Sequence, residues 1–143
     1  MELDEAFIRQ LVDTFSAELD DQVQVISNGL LTLEQSAADD ANRDELLSML
    51  FRAAHNIKGA ARGVDVLEVV TLAHNLESLF GAIKQGKADI SPESVSLCLE
   101  TLDRMQEAMA CFRQQQPISF NLEEVAVRLQ QAAQGGGPIE DRG

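Results

Sequence analysis

The chain has no Trp, no Tyr and only six Phe, so any core it builds must be mainly aliphatic. Strands favour aromatic and β-branched residues in alternation with polar ones. No such alternation occurs, which argues against a sandwich or a barrel. Cysteine is scarce too: Cys98 and Cys111 are the only two, without the number or close spacing of a zinc site or a disulfide framework. Both are expected to be core thiols. No apolar run approaches the ~20 residues of a membrane span, and Met1 to Glu5 lacks the basic and apolar regions of a secretion signal. The expectation is a cytoplasmic protein with no membrane association. Basic residues are outnumbered, 11 against 24 acidic, for a formal charge of -13. This disfavours sequence-independent binding of nucleic acid or of an anionic membrane surface. Also missing is any G-x-x-x-x-G-K-[ST] run or glycine-rich loop between strand and helix, so the chain is not expected to hydrolyse ATP alone.

What is present is a length of 143 residues with 45% apolar content, which suits one domain. From Asp4 to about Gln35, Ile8, Leu11, Val12, Phe15, Leu19, Val23, Ile26, Leu30 and Leu33 recur at steps of three and four, the spacing of a long helix. Gly29 within it is read as a bend. Asn42 with Glu45 has N-cap spacing for a second helix, starting near Arg43 and bearing Leu46, Leu47, Leu50, Phe51, Ala54, Ile57 and Ala61. Gly63 is its expected stop, and Asp65 with Glu68 is the expected cap of a third helix carrying Val69, Leu72, Ala73, Leu76, Phe80 and Ile83. Gly86 ends that helix. Ser91-Pro92-Glu93 opens a fourth, and Asn121 with Glu124 opens a shorter fifth with a solvated glutamine-rich face. The fold expected is all-α, an up-down-up-down four-helix bundle with an additional C-terminal helix. The domain is expected to span 1–134, with 135–143, starting Gly135-Gly136-Gly137-Pro138, as a linker-like tail.

His55 and His74 are the only histidines. His55 stands at the edge of its helix's apolar stripe, which keeps the ring partly exposed. Lys58 is three residues on and shares its face, while Gly59, four on, removes bulk beside the ring. Glu77 follows His74 by three on the third helix. A phosphorylatable imidazole needs a free lone pair, an acceptor for the proton on its other nitrogen, a nearby cation and open space. Glu77 accepting from Nδ1–H would leave Nε2 as the nucleophile, Lys58 would stabilise phosphoryl charge, and Gly59 would admit a partner. Each feature has an ordinary alternative: a surface histidine, an exposed His74–Glu77 pair, a solvated lysine, or small residues for close helix packing. Six of the basic residues, Arg43, Arg52, Lys58, Arg62, Lys84 and Lys87, lie in the middle stretch and suggest a local positive patch.

The run Ala53-Ala54-His55-Asn56-Ile57-Lys58-Gly59-Ala60-Ala61-Arg62 resembles the H-x-[IL]-K-G-[SA]-A signature of histidine phosphotransfer (HPt) domains. Leu72-Ala73-His74-Asn75-Leu76-Glu77 resembles the L-A-H-x-L-E signature of the amino-terminal domain of the chemotaxis histidine kinase CheA. The resemblance implies that His55 is the phosphoacceptor, that Glu77 bonds its Nδ1, and that Lys58 and His74 complete the network. It implies partner docking around Gly59, Arg52 and Arg62. It further implies phosphorylation by a separate ATP-binding kinase domain and transfer to a receiver aspartate of a CheY-like or CheB-like regulator, with ATP and Mg2+ belonging to those partners. The domain itself is expected to be monomeric. Asp65 stands where the family usually has glycine. Two other readings stay open: a non-catalytic helical interaction module, and a metal site of His55, His74 and Glu77; the resemblance implies no metal and no cofactor held by the chain.

Overall fold

The computed structural model describes residues 4–36 and 41–135. Five helices follow in order: α1 (Glu5–Gln35), α2 (Arg43–Gly63), α3 (Leu67–Lys84), α4 (Pro92–Arg113) and α5 (Leu122–Ala133). No strand occurs among the described residues.

Helix α1 packs on α2 and α4, and α3 packs on α2, α4 and α5. Side-chain pairs give the directions. Asp20 accepts from Gln106 while Asp13 pairs with Arg113, so α1 and α4 run antiparallel. Gly81 lies against Phe51 while Glu77 meets His55, so α2 and α3 do too. The result is a square bundle with α5 laid against α3 and α4. Two ties hold α5. Arg128 makes a two-pronged salt bridge to Glu100 at 2.9 Å per bond, and Gln130, exposed as expected of the glutamine-rich face, donates to Asn75 at 3.1 Å.

Touching three helices, α3 must be apolar nearly all round. Val69, Leu72, Ala73, Leu76, Leu79, Phe80 and Ile83 are all buried, and each large apolar side chain so enclosed contributes about 1.5–3 kcal/mol of transfer free energy. Helix α1 differs. Phe15, Leu19, Val23, Ile26, Leu30 and Leu33 are buried, but Ile8 and Leu11, expected on the core stripe, are 43% and 41% exposed. Asp13 is level with Arg113, the last residue of α4. The turns before it therefore overrun that helix, and the stripe continues with less to cover it. Cys98 is a core thiol as expected, whereas Cys111 is only partly buried.

Gly29 does not interrupt α1. A Cβ there would lie 2.8 Å from Leu50 Cδ2, so its bare backbone lets α1 close on α2.

Helix ends differ from expectation at two caps. Asn42 makes no side-chain cap bond, and the N-cap of α3 is Val66 rather than Asp65. Asp65 instead terminates α2. Its φ is 66°, its N–H reaches Arg62 O, and the N–H of Val66 reaches Ala61 O. This is a Schellman closure with Asp65 in the left-handed position usually filled by glycine. Gly63, the expected stop, is simply the last helical residue. Gly86 closes α3 in the same manner, and Ser91 caps α4 in a capping box with Ser94. Asn121 caps α5 through the Glu124 N–H.

Gly135 sits against the α3–α4 connection, where a Cβ would meet the Lys87 carbonyl oxygen at 2.2 Å. It thus packs with the bundle, although the tail was expected to begin there. The remaining tail, 136–143, lies outside the described residues.

Candidate functional site around His55 and Glu77

A carboxylate on the most enclosed helix of a bundle is costly unless its charge is matched. Glu77 is such a group, with 8% of its surface exposed. Both its oxygens are engaged from α2: Oε2 is 2.7 Å from His55 Nδ1, and Oε1 accepts from Lys58 Nζ at 2.7 Å. His55 and Lys58 are one turn apart and so reach the same point on α3. Lys58 was assigned to a phosphoryl group from sequence. The structure commits its ammonium to Glu77, in a position where the side chain is 16% exposed.

Burial alone would push the Glu77 carboxyl up. The hydrogen bonds from Lys58 and His55, and the charges behind them, outweigh it and hold the group below the usual carboxylate range. Near neutral pH Glu77 is therefore ionised and can only accept. It follows that Nδ1 of His55 carries a hydrogen, and that a neutral ring keeps its lone pair on Nε2. The His55 side chain is 60% exposed, so one nitrogen is held by the interior while the ring's outer edge meets solvent.

The surface around the ring is open. Arg52, His55, Gly59 and Arg62 follow at steps of three, four and three, and all are exposed, which makes one row along α2. A Cβ built on Gly59 meets nothing within 4 Å. Close packing inside the bundle therefore does not explain this glycine, although Ala61 beyond it is fully buried. Arg52 and Arg62, the two ends of the row, bring positive charge to this face of an acidic chain.

His74 does not join the group. It is exposed and hydrogen-bonds to no described residue, and both oxygens of Glu77, one turn along α3, already have partners. With His74 turned outward, the metal alternative lacks its third ligand: among the described residues, no group of three His, Cys, Asp or Glu side chains is placed to hold an ion. Nor is any helix among them long and apolar enough to cross a membrane.

The family resemblance had placed Lys58 in the network of His55 and Glu77, whereas the reading of the residues alone gave it to the phosphoryl group; its bond to Glu77 fixes the carboxylate from its second side. The signal was there in the spacing: two donors three residues apart on one helix converge on one acceptor.

Several known proteins are similar over most of this chain. The Chemotaxis protein CheA of Klebsiella aerogenes is 35% identical over 129 residues, 88% of this chain and 19% of that protein. That of Borreliella burgdorferi is 33% identical over 101 residues, 71% of this chain and 11% of its own length. That of Cereibacter sphaeroides is 27% identical over 132 residues, covering 92% of this chain and 19% of that protein. The chain thus spans less than a fifth of these relatives. A family model described as the Hpt domain matches residues 10–108, and that stretch runs from the second turn of α1 into α4, taking in the whole α2–α3 interface. The chain belongs to the Hpt domain family.

Proposed function

We propose that this chain is the phosphotransfer domain of a CheA-like chemotaxis kinase, and that His55 carries the phosphoryl group. The observation behind the reading is the His55–Glu77 pair: an exposed imidazole whose inner nitrogen is hydrogen-bonded to a buried, ionised acid.

The chemistry follows from that tautomer. The Nε2 lone pair attacks the terminal phosphorus of ATP held by a separate kinase domain. The bond from phosphorus to the bridging oxygen breaks, and ADP departs with the electron pair. The ring now bears phosphoryl on Nε2 and hydrogen on Nδ1 and is cationic, so the Glu77 carboxylate beside it offsets the new charge. In the second transfer, a carboxylate oxygen of a receiver aspartate attacks phosphorus and the P–N electrons return to Nε2. No proton needs to leave Nδ1 in either step. Lys58 holds the carboxylate still.

The open row Arg52–Gly59–Arg62 is the face on which partners approach. Gly59 keeps bulk away from the ring, and the two guanidinium groups suit an acidic surface such as a receiver's carboxylate-lined site. A kinase ATP-binding domain and a CheY-like or CheB-like receiver are the partners proposed, with ATP and Mg2+ held by them. An Hpt domain is a phosphotransfer module rather than a kinase. In keeping with this, we propose that the chain does not itself hydrolyse ATP, acts as a monomer and works in the cytoplasm.

The test is to incubate the chain with a chemotaxis kinase catalytic core and γ-labelled ATP. Acid-labile label is expected on the wild type and none on His55→Gln. Label that persists in the variant would refute the assignment.

A further inference from the structure

Helix α5 is held differently from the other four. It is 12 residues long and buries only Val125, Ala126 and Leu129. A helix so short has little stability of its own in water, so its docking decides whether it stays folded. Much of that docking is polar and lies at the surface. Arg128 and Glu100 pair at 2.9 Å with 41% and 38% of their side chains exposed, and Gln130, which reaches Asn75, is exposed too. Ties of this kind hold weakly.

The strap that leads into α5, residues 114–121, has the same character. The N–H of Gln116 closes α4 on Cys111 O, and beyond it no backbone hydrogen bond among the described residues holds residues 117–120. Side chains do so instead. Arg104 bonds Glu107 at 2.6 Å, Glu107 accepts from the Ser119 hydroxyl, and the Arg104 guanidinium lies 5.6 Å from the centre of the Phe120 ring. Glu100, Arg104 and Glu107 follow one another by about a turn along α4, so the anchors of helix and strap form one row. The row is imperfect: Arg104 Nε is buried with no acceptor among the described residues, a cost that opening would relieve.

We propose that α5 and its strap are a latch that opens as one unit, hinged where α4 ends at residues 114–116, while α1 to α4 stay folded. Opening uncovers an apolar face on α3. Leu72 and Leu79 stand three before and four after Asn75, on the side that meets α5, and both are fully buried in the closed bundle. Glu77 is only two residues from Asn75 and so points the other way, to His55 and Lys58 of α2. The bundle thus has a second state in which α3 presents new surface on one side and keeps the His55–Glu77 pair on the other. This latch does not depend on the phosphotransfer reading.

Amide hydrogen exchange of the whole chain, followed residue by residue by NMR, tests it. Residues 126–132 are expected to exchange at least about tenfold faster than the centres of α2, α3 and α4, as a separately opening unit does. Glu100→Gln removes the charge that Arg128 pairs with and should speed α5 about two- to fivefold further, the fold-change of an exposed ion pair, with α2 and α3 unaltered. Asp13→Asn, which breaks the comparably exposed pair with Arg113, should leave α5 as it was. One exchange rate shared by α5 and the centres of the other helices would overturn the proposal. So would acceleration of every helix by Glu100→Gln, or of α5 by Asp13→Asn, because α5 would then open only with the whole bundle.

Discussion

Nδ1 of His55 lies 2.7 Å from Oε2 of Glu77, across the interface of two antiparallel helices and 22 residues apart in the chain. A short contact between an exposed ring and a buried acid makes the acid a control on the ring's tautomer, and this suggests an unusual ranking of variants.

Glu77→Gln should be worse than Glu77→Ala. With Lys58 claiming the amide oxygen, the amide nitrogen would donate toward Nδ1 and favour hydrogen on Nε2, removing the nucleophilic lone pair. Alanine merely leaves the tautomer uncontrolled. Expected losses in phosphorylation rate are ~10²-fold for alanine and more for glutamine, within the range of positioned acid–base groups. Label incorporation over time checks it; glutamine faster than alanine would count against tautomer control.

The pH dependence has a definite sign. The folded-state pKa of Glu77 is lowered, so the group contributes stability above its unfolded-state pKa, and this contribution is lost as pH falls through the folded value. Urea unfolding of wild type and Glu77→Gln should therefore differ most near neutral pH, with the gap narrowing below the usual carboxylate range. A gap constant from pH 7 to pH 3 would contradict the assignment.

Two helix ends carry non-glycine residues in the left-handed region, Asp65 at φ 66° and Gln115 at φ 57°. Glutamine has little aptitude for it, so Gln115→Gly is expected to stabilise by about 0.5–1 kcal/mol. Asparagine and aspartate tolerate the region better, and Asp65→Gly should be near neutral. Asp65→Val should destabilise by roughly 1–2 kcal/mol. Chemical denaturation measures all three.

The two thiols should separate in reactivity. Burial pushes the Cys98 thiol up to about 12, and it is 1% exposed, while Cys111 is partly exposed. A thiol reagent near pH 8 should label Cys111 in the native protein and reach Cys98 only after unfolding. Equal labelling rates would show that the core opens at the α4 face.

Helical periodicity, the caps Asp4, Ser91 and Asn121, and the left-handed Gly86 are local signals. They fall where the corresponding helices begin or end because each cap satisfies its own helix's orphan groups. The same local logic misplaced the cap of α3, since Asp65 was needed to close α2 and one residue cannot fill both positions. It also overextended the core stripe to Ile8 and Leu11. Burial depends on where a neighbouring helix stops, and no pattern within α1 records that.

The sequence by itself determined five helices, their approximate ends, and an imidazole at the edge of an apolar stripe, because these depend on contacts within a few residues. Only the tertiary structure decided that Glu77 is buried with both oxygens bound from α2, that Lys58 faces that acid, that Gly59 opens onto free surface, and that His74 points outward. Those outcomes depend on the register of α2 against α3, which long-range packing sets.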